Sequence, residues 1–266
     1  MQLSNPWLIA VLINTFLIAI AFLLPKKLLT PAGYVNAWLL GVIVWLAFSW
    51  QGYATVLFYF FIGSAVTKVG MTEKEALGIA EARGGIRGPG NVWGSALTGA
   101  VCGLLAIALQ VSSSQTLQLS RLDIVHPAWQ SLLALGFVAS LSTKLSDTTA
   151  TEIGKAYGKR TYLITTLSPV PKGTEGAVSL EGTLAGVVGS LALATVAYGT
   201  GLFGPKLIGP TGILICTIAA FIATTAESLI GATVEEKLSW LTHDLVNIVN
   251  TAIGAIVAIT IGWLIA

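Results

Sequence analysis

Long apolar segments alternate with short polar ones along the whole chain, and this pattern predicts a bundle of membrane-spanning helices. About 20 apolar residues are enough for an α-helix to cross the hydrocarbon core of a bilayer. The segments that approach this length are residues 7–24, 33–50, 52–67, 92–110, 128–146, 180–199, 209–231 and 245–265. Only Ser49 to Gly52 divides the second segment from the third, so this boundary is the weakest. We expect an all-α fold of about eight spans in one integral-membrane domain, residues 1–266.

Composition supports the same class of protein. Hydrophobic residues make up 55% of the chain and charged residues only 10%, with a mean hydropathy of +0.82. A soluble domain would carry about 25% charged residues, so an ordinary soluble domain is excluded. The formal net charge of +2 is too small to indicate a nucleic-acid-binding protein.

Positive charge falls on alternate loops between the predicted spans. With the N-terminus outside, the cytoplasmic loops are residues 25–32, 68–91, 147–179 and 232–244. These loops contain Lys26, Lys27, Lys68, Lys74, Arg83, Arg87, Lys155, Lys159, Arg160, Lys172 and Lys237. The opposite side has Arg121 and Lys206. Because basic residues favour cytoplasmic loops, we expect both termini to be non-cytoplasmic.

The richest polar stretch, Lys144 to Lys155, begins at the inner end of the fifth apolar segment. On a helix turning ~100° per residue, its polar side chains fall within an arc of about 140°. These residues are Lys144, Asp147, Thr148, Thr151, Glu152 and Lys155, with Ser146 beside them. Charged groups near membrane depth are costly and mark functional sites. The carboxylates suit Mg²⁺ and the lysines suit phosphate oxygens. The alternative is a self-neutralised helix end in which Lys144 and Asp147 simply pair.

A glycine-rich basic loop precedes the fourth segment. Its candidate binding residues are Arg83, Gly84, Gly85, Arg87, Gly88 and Asn91. Glycines let backbone N–H groups approach an anion, arginines grip phosphate, and an Asn can cap the following helix. The spacing is not that of a Walker A loop, and a flexible basic turn is the alternative. Just before this loop, Thr72 to Ala82 reads as an amphipathic piece along the membrane interface.

A second loop motif precedes the sixth segment. It supplies Lys172, Gly173, Thr174, Glu175, Gly176, Ser179 and Glu181. Glycines free the backbone here, and the carboxylates and hydroxyls offer oxygen ligands. The alternative is a turn followed by acidic residues that suit a helix N-terminus.

The last two segments carry a polar stripe. Glu227 lies near the inner end of the seventh, and His243, Asn247 and Asn250 recur at i, i+4 and i+7 in the eighth. Asn residues commonly hydrogen-bond across membrane helices, so interhelical contact is an equal alternative for Asn247 and Asn250. For Glu227, by contrast, a carboxylate within the membrane favours a functional role over a structural one.

Three runs together resemble a known family: Lys144 to Lys155, Thr161 to Thr165 and Lys172 to Thr183. They are similar to the integral-membrane family that contains the phytyl-phosphate kinase of plastid and cyanobacterial tocopherol synthesis, and the resemblance covers essentially the whole chain. It implies phosphorylation of phytyl or another prenyl monophosphate to the diphosphate, with Mg²⁺ and a nucleoside triphosphate, CTP being favoured. No transit peptide precedes the first span, so we expect a cyanobacterial thylakoid or plasma-membrane protein, or a mature form from a plastid-type membrane.

This reaction needs no general base, because a phosphate acceptor brings its own anionic oxygen. We therefore expect Asp147 and Glu152 to hold the metal and Lys144, Lys155 and Lys172 to hold phosphates. Arg83 and Arg87 would bind the phosphate that enters last, and Glu175, Glu181 and Glu227 are further metal candidates. The lipid tail would lie between helices, lined by the fourth, fifth and seventh spans.

Other classes of function stay open at this point. A nucleotidyltransferase acting on a lipid phosphate would use the same CTP and Mg²⁺ but a different phosphorus atom. A transporter would show broken helices near the midplane, whereas these charges crowd one interface. A purely structural membrane component would not need the three polar motifs on one side. The expected partners are the bilayer, the nucleotide and the prenyl phosphate, an oligomer is compatible with the sequence, and no nucleic acid is expected.

Overall fold

The computed structural model describes residues 5–23, 27–114, 125–204, 208–233 and 242–265. The structure is 80% helical. The helices are α1 (Pro6–Leu23), α2 (Pro31–Thr67), α3 (Met71–Ala76), α4 (Pro89–Ser114), α5 (Val125–Tyr157), α6 (Leu180–Gly199), α7 (Thr211–Thr233) and α8 (His243–Ile265). Two short antiparallel strands, β1 (Tyr162–Leu163) and β2 (Ala177–Val178), form a ribbon between α5 and α6.

Helix α2 is a helical hairpin that reverses at Ser49, where φ is 53° and ψ is −151°. The contacts of Arg87 show the reversal, because this one residue binds both the start of α2 and its second half. Its carbonyl oxygen accepts a hydrogen bond from Thr30 N at 3.0 Å, and its Nη1 donates to Tyr59 Oη at 2.7 Å. An uninterrupted helix from Thr30 to Tyr59 would extend about 44 Å, far beyond the reach of one arginine. The two halves therefore cross the bundle in opposite directions, as the weak boundary at residues 49–52 predicted.

The described helices supply the expected crossings. Six of them are long and apolar enough to span a membrane, with α2 counted once. The two halves of α2 raise this number, and α5 adds another crossing because it runs through the bundle and packs against α2, α4, α6, α7 and α8. The prediction of an all-α polytopic membrane bundle is confirmed.

Helix α5 can be more polar than its neighbours because it lies at the centre of the bundle. Ser140, Ser142 and Thr143 in its middle have no exposed surface, because other helices shield them from lipid. The helix also continues past the predicted end of the fifth span, residue 146, to Tyr157. The polar stretch from Lys144 to Lys155 is therefore helical throughout.

Glycines allow α6 to approach α5 closely. A Cβ atom at Gly182 would lie 2.6 Å from the Ala150 carbonyl oxygen, and one at Gly186 would lie 2.9 Å from Ser146 Oγ. Small residues spaced by four positions are a common means of close helix packing in membranes. This contact fixes the start of α6 against the polar half of α5.

The predicted amphipathic piece from Thr72 to Ala82 is α-helical only in its first part, and its location along the membrane interface stays a prediction. Helix α3 covers only Met71–Ala76, and Lys74 has no exposed surface. Its ammonium group turns inward to the carbonyl oxygen of Thr67, at 2.8 Å, and to the carboxylate of Glu152. A charged partner inside the protein outweighs the surface position that the amphipathic pattern indicated.

Candidate functional site

A large polar pocket opens at the end of the bundle where α4, α6 and α8 begin and α5 and α7 end. Its volume is about 790 Å³, within the range of small-molecule sites. Residues 78–87 and 173–178 contribute loops to its walls. The polar stretch of α5, both loop motifs and the polar stripe of α7 and α8 all contribute residues to this pocket.

The polar face of α5 forms one wall. The pocket is lined by every member of the predicted arc and by the neighbouring Ser146: Lys144, Ser146, Asp147, Thr148, Thr151, Glu152 and Lys155. The common direction of the six residues of the arc follows from the 100° turn per residue, whereas Ser146 lies roughly 100° outside that arc. The structure brings these residues to one site, while their chemical roles stay predictions.

Lys144 lies at the deep end of that wall and bridges two helices. Its Nζ is 2.5 Å from Asp147 Oδ2 on the same helix and 2.5 Å from Asn247 Oδ1 on α8. Glu227 of α7 also attracts it electrostatically. The Lys144 and Asp147 side chains are 12% and 16% exposed. A cation and a carboxylate are thus held in fixed positions that a ligand in the pocket can reach.

Glu152 makes a second ion pair on α5, with Lys74 of α3. The Lys74 and Glu152 side chains are 0% and 5% exposed. Lys74 also donates to the Thr67 carbonyl oxygen at the end of α2. The pair therefore ties α2, α3 and α5 together at the pocket wall, and it neutralises a carboxylate that the sequence suggested for metal binding. Sequence reasoning did not place Lys74 at the site.

The glycine-rich basic loop is held against the hairpin α2. The Arg87 guanidinium donates to Tyr59 and lies over the rings of Tyr59 and Phe60, 5.3 and 5.8 Å from their centroids. Gly84 and Gly85 have positive φ values of 60° and 81°, which glycine adopts without steric cost. The Asn91 side chain accepts from Gly88 N at 3.1 Å and so caps α4.

Not all members of this loop reach the pocket. Gly85, Arg87 and Asn91 line it, whereas Gly84 and Gly88 do not. The side chain of Arg83 lies outside the described residues.

The second loop motif also has members inside and outside the pocket. Gly173, Thr174, Glu175, Gly176 and Ser179 line the pocket. Gly173 and Gly176 have positive φ values of 85° and 72°, and they pack tightly against Ile79 and Ala232. Here the glycines serve close packing of the loop on its neighbours.

Three members of this motif have structural contacts. Ser179 caps α6 by accepting from Gly182 N at 3.1 Å. Lys172 and Glu181 do not line the pocket. Lys172 Nζ lies 3.4 Å from the Ala156 carbonyl oxygen at the end of α5, and Glu181 accepts from Lys159 N at 3.4 Å. Glu181 therefore fits the alternative to metal binding, in which an acidic residue in the first turn suits the helix N-terminus.

The polar stripe on α7 and α8 forms two layers. Glu227, His243 and Asn247 line the pocket. Asn250 lies behind them, fully buried, and donates through Nδ2 to the Glu227 carboxylate. Asn250 is thus an interhelical contact that orients Glu227, and it does not reach the pocket.

Several lining residues escaped sequence reasoning. They are Thr67, Glu81, Ser95, Thr161, Thr183, Thr224, Thr225 and Asp244. Asp244 could have been predicted from the sequence, because it lies in the first turn of α8 between residues of the predicted polar stripe. Its carboxylate lies against Gly90 at the start of α4, where the positive end of that helix favours an anion.

Among the described residues, no three His, Cys, Asp or Glu side chains are grouped as a preformed metal cage. This arrangement is compatible with Mg²⁺, which usually binds through one or two carboxylates and completes its shell with substrate phosphates and water. Asp147 lies in the pocket beside cations that suit those phosphates.

Fold and pocket together define a polytopic helical membrane protein with a polar, partly charged site at one end of the bundle. The chain belongs to the family described as integral membrane protein DUF92, whose profile matches residues 14–255. The family expected from the sequence motifs is thereby confirmed. No solved structure matches the chain.

Three relatives show the range of the family. The chain is 59% identical to the uncharacterized membrane protein sll0875 of Synechocystis sp., over 98% of this chain and 93% of the relative. It is 45% identical to the protein VTE6, chloroplastic, of Arabidopsis thaliana, over 96% and 72% respectively. It is 30% identical to the uncharacterized membrane protein MJ0933 of Methanocaldococcus jannaschii, over 96% and 95%. The cyanobacterial and chloroplastic relatives fit a multi-pass protein of a thylakoid or plastid-type membrane.

Proposed function

We propose that the protein is a membrane-embedded kinase that phosphorylates phytyl monophosphate, or a similar prenyl monophosphate, to the diphosphate. The observation that carries this proposal is the Lys144–Asp147–Asn247 cluster, deep in a polar pocket at one end of an apolar bundle. A lipid phosphate matches this arrangement, because its anionic head suits the polar pocket and its apolar tail suits the apolar bundle. The 45% identity to VTE6 and the resemblance of the three sequence runs support the same reaction.

Repulsion between two anionic substrates is the main barrier that this site would have to lower. Lys144, Lys155 and Arg87 line the pocket and provide positive charge for phosphate oxygens. Asp147 would hold Mg²⁺, with Glu227 and Glu175 as further oxygen donors on the facing walls. Because Glu152 is neutralised by Lys74, we assign it the role of positioning α5. The acceptor phosphate attacks the terminal phosphorus, and the nucleoside diphosphate leaves with the electrons of the broken P–O bond.

CTP is the donor that we propose, bound at the end of the bundle that faces the cytosol or its plastid equivalent. The loops at this end carry most of the basic residues, and basic residues favour the cytoplasmic side. Both termini would then be non-cytoplasmic. A reporter fused to the C-terminus should therefore be inaccessible to a cytoplasmic reagent, while a tag in the loop at residues 78–81 should be accessible. The reverse accessibility would remove the pocket from cytosolic nucleotide and contradict the proposal.

Position-specific labelling of the donor tests the reaction. Purified protein is supplied with phytyl phosphate, Mg²⁺ and CTP labelled at either the γ- or the α-phosphorus. The proposal predicts labelled phytyl diphosphate from the γ-label, together with CDP. Label that enters the lipid only from the α-position, with release of pyrophosphate, would instead establish a nucleotidyltransferase. Replacement of CTP by ATP, GTP or UTP in the same assay determines the donor.

A further inference from the structure

The polar pocket continues sideways into a groove between α6 and α7. Each helix contributes lining residues at positions i, i+3, i+4 and i+7, which is the spacing of one helical face. These residues are Ser179, Gly182, Thr183 and Gly186 on α6, and Phe221, Thr224, Thr225 and Ser228 on α7. Each stripe extends about two turns along its helix, so this side of the pocket runs along the helix axes.

On α7 the stripe differs from the face that packs into the bundle. The core face consists of Ile215, Cys216, Ala219, Ala220 and Ala223, all buried. Phe221 is 48% exposed and still lines the pocket, so the pocket reaches a position on the outer part of the helix. Phe221 also lies six residues, about 9 Å, deeper along α7 than Glu227. The groove therefore connects the charged site with the lipid-facing side of the bundle.

The side chains along this part of the pocket are small. Gly182 and Gly186 pack against Ala150 and Ser146 of α5, so Thr183 is the side chain that the α6 stripe contributes, while α7 contributes Thr224, Thr225 and Ser228. Phe221 is the large apolar residue of the two stripes, and it stands at the deep end, furthest from the charged groups. Polarity thus falls along the groove from Glu227 towards Phe221.

We propose that this groove holds the isoprenoid chain of the acceptor, which enters from the bilayer past Phe221 while its phosphate reaches Lys144 and Asp147. This inference rests on the proposed function; it keeps the seventh span of the expected tail site and replaces the fourth and fifth spans by the sixth. Hydroxyl groups and glycines line most of the groove, and lipid tails are at least as apolar, so the chain gains no hydrophobic free energy by leaving the bilayer. The groove therefore acts by selecting chain shape and by positioning the phosphate.

Photocrosslinking tests the location without requiring turnover. The photoreactive residue p-benzoylphenylalanine is placed at Phe221 or, as a matched control, at Ile222, which is similarly exposed at 43% but does not line the pocket. With radiolabelled phytyl phosphate in nanodiscs and no nucleotide, we expect the label on the protein to be at least about fivefold stronger at 221 than at 222, and to be competed by unlabelled phytyl phosphate. Equal labelling at both positions, or labelling at 221 that does not respond to competition, would overturn the inference.

Kinetics provide a second test that separates this inference from the kinase proposal. Phe221→Trp should reduce kcat/KM for phytyl phosphate about tenfold, the scale of a steric change in an apolar pocket. It should leave kcat/KM for the five-carbon isopentenyl phosphate within about twofold, and Ile222→Trp should leave both unchanged. Equal loss for long and short acceptors would overturn the groove but leave the kinase. Competed crosslinking in the 221 variant, together with no phosphoryl transfer by the wild-type protein, would overturn the kinase and retain a prenyl-phosphate groove.

Discussion

Two lysine–carboxylate pairs involve carboxylates of α5, and they differ in how far ligands and solvent can reach them. Lys74–Glu152 joins two elements, has almost no exposed surface and includes a backbone acceptor at Thr67. Lys144–Asp147 joins positions i and i+3 of one helix, remains 12% and 16% exposed, and lines the pocket. A buried pair can stabilise the fold but cannot exchange its partners readily. An accessible pair can give up a mutual contact to bind a ligand, so we assign the chemistry to Lys144–Asp147.

Asp147→Asn should have the largest effect, on activity. The substitution removes the charge that we assign to Mg²⁺ while keeping the shape of the side chain. We expect turnover to fall about a hundredfold to a thousandfold, the usual cost of losing one electrostatic contact to a transition state. The unfolding temperature in detergent should stay close to wild type. Near-normal turnover at saturating Mg²⁺ would show that Asp147 is structural.

Lys74→Met should have the largest effect on stability. It leaves the Glu152 carboxylate buried without its cation, which typically costs about 3–5 kcal/mol. Denaturant unfolding of the purified protein measures the loss. The double variant Lys74→Met with Glu152→Gln should recover part of it, since no unpaired charge remains. A single variant as stable as wild type would show that the pair does not hold α3 against α5.

Lys155→Met should weaken binding of the nucleotide or the acceptor. Loss of one charge-assisted contact to phosphate corresponds to roughly a tenfold to a hundredfold rise in KM. Lys172→Met is the matched control, because Lys172 lies on the adjacent loop but not in the pocket. Equal effects of the two substitutions on KM would mean that net charge near the loop, and not the pocket position, determines binding.

Glu181→Gln should have the smallest effect. Its carboxylate lies outside the pocket and contacts the backbone of Lys159. We expect turnover within about twofold of wild type and a stability change below ~1 kcal/mol, the scale of a carboxylate at a helix N-terminus. A large change in the Mg²⁺ dependence of turnover would instead show that Glu181 is a metal ligand.

The sequence was informative where a single helix determines the geometry. The arc on α5 could be predicted because side-chain directions follow from the helical turn alone. The break between the second and third spans was also visible in the chain. The reversal itself occurs at one residue, Ser49, and depends on how both halves pack.

Contacts between distant elements could not be predicted in the same way. Lys74 and Glu152 are separated by 78 positions, and the amphipathic pattern around Lys74 favoured a surface location. Asn250 and Lys172 belong to recognisable motifs, yet packing turns them away from the pocket. Motif membership indicates which loops meet, whereas tertiary packing decides which side chains face the ligand.

Metal binding distinguishes the two pairs most directly. Electron paramagnetic resonance of Mn²⁺ with CTP, in wild type, Asp147→Asn and Glu152→Gln, measures the affinity of the protein for the metal–nucleotide complex without turnover. The account predicts an affinity about tenfold or more lower in Asp147→Asn, in line with loss of one charged ligand, and near wild type in Glu152→Gln. Loss of affinity in Glu152→Gln with an unaffected Asp147→Asn would contradict it.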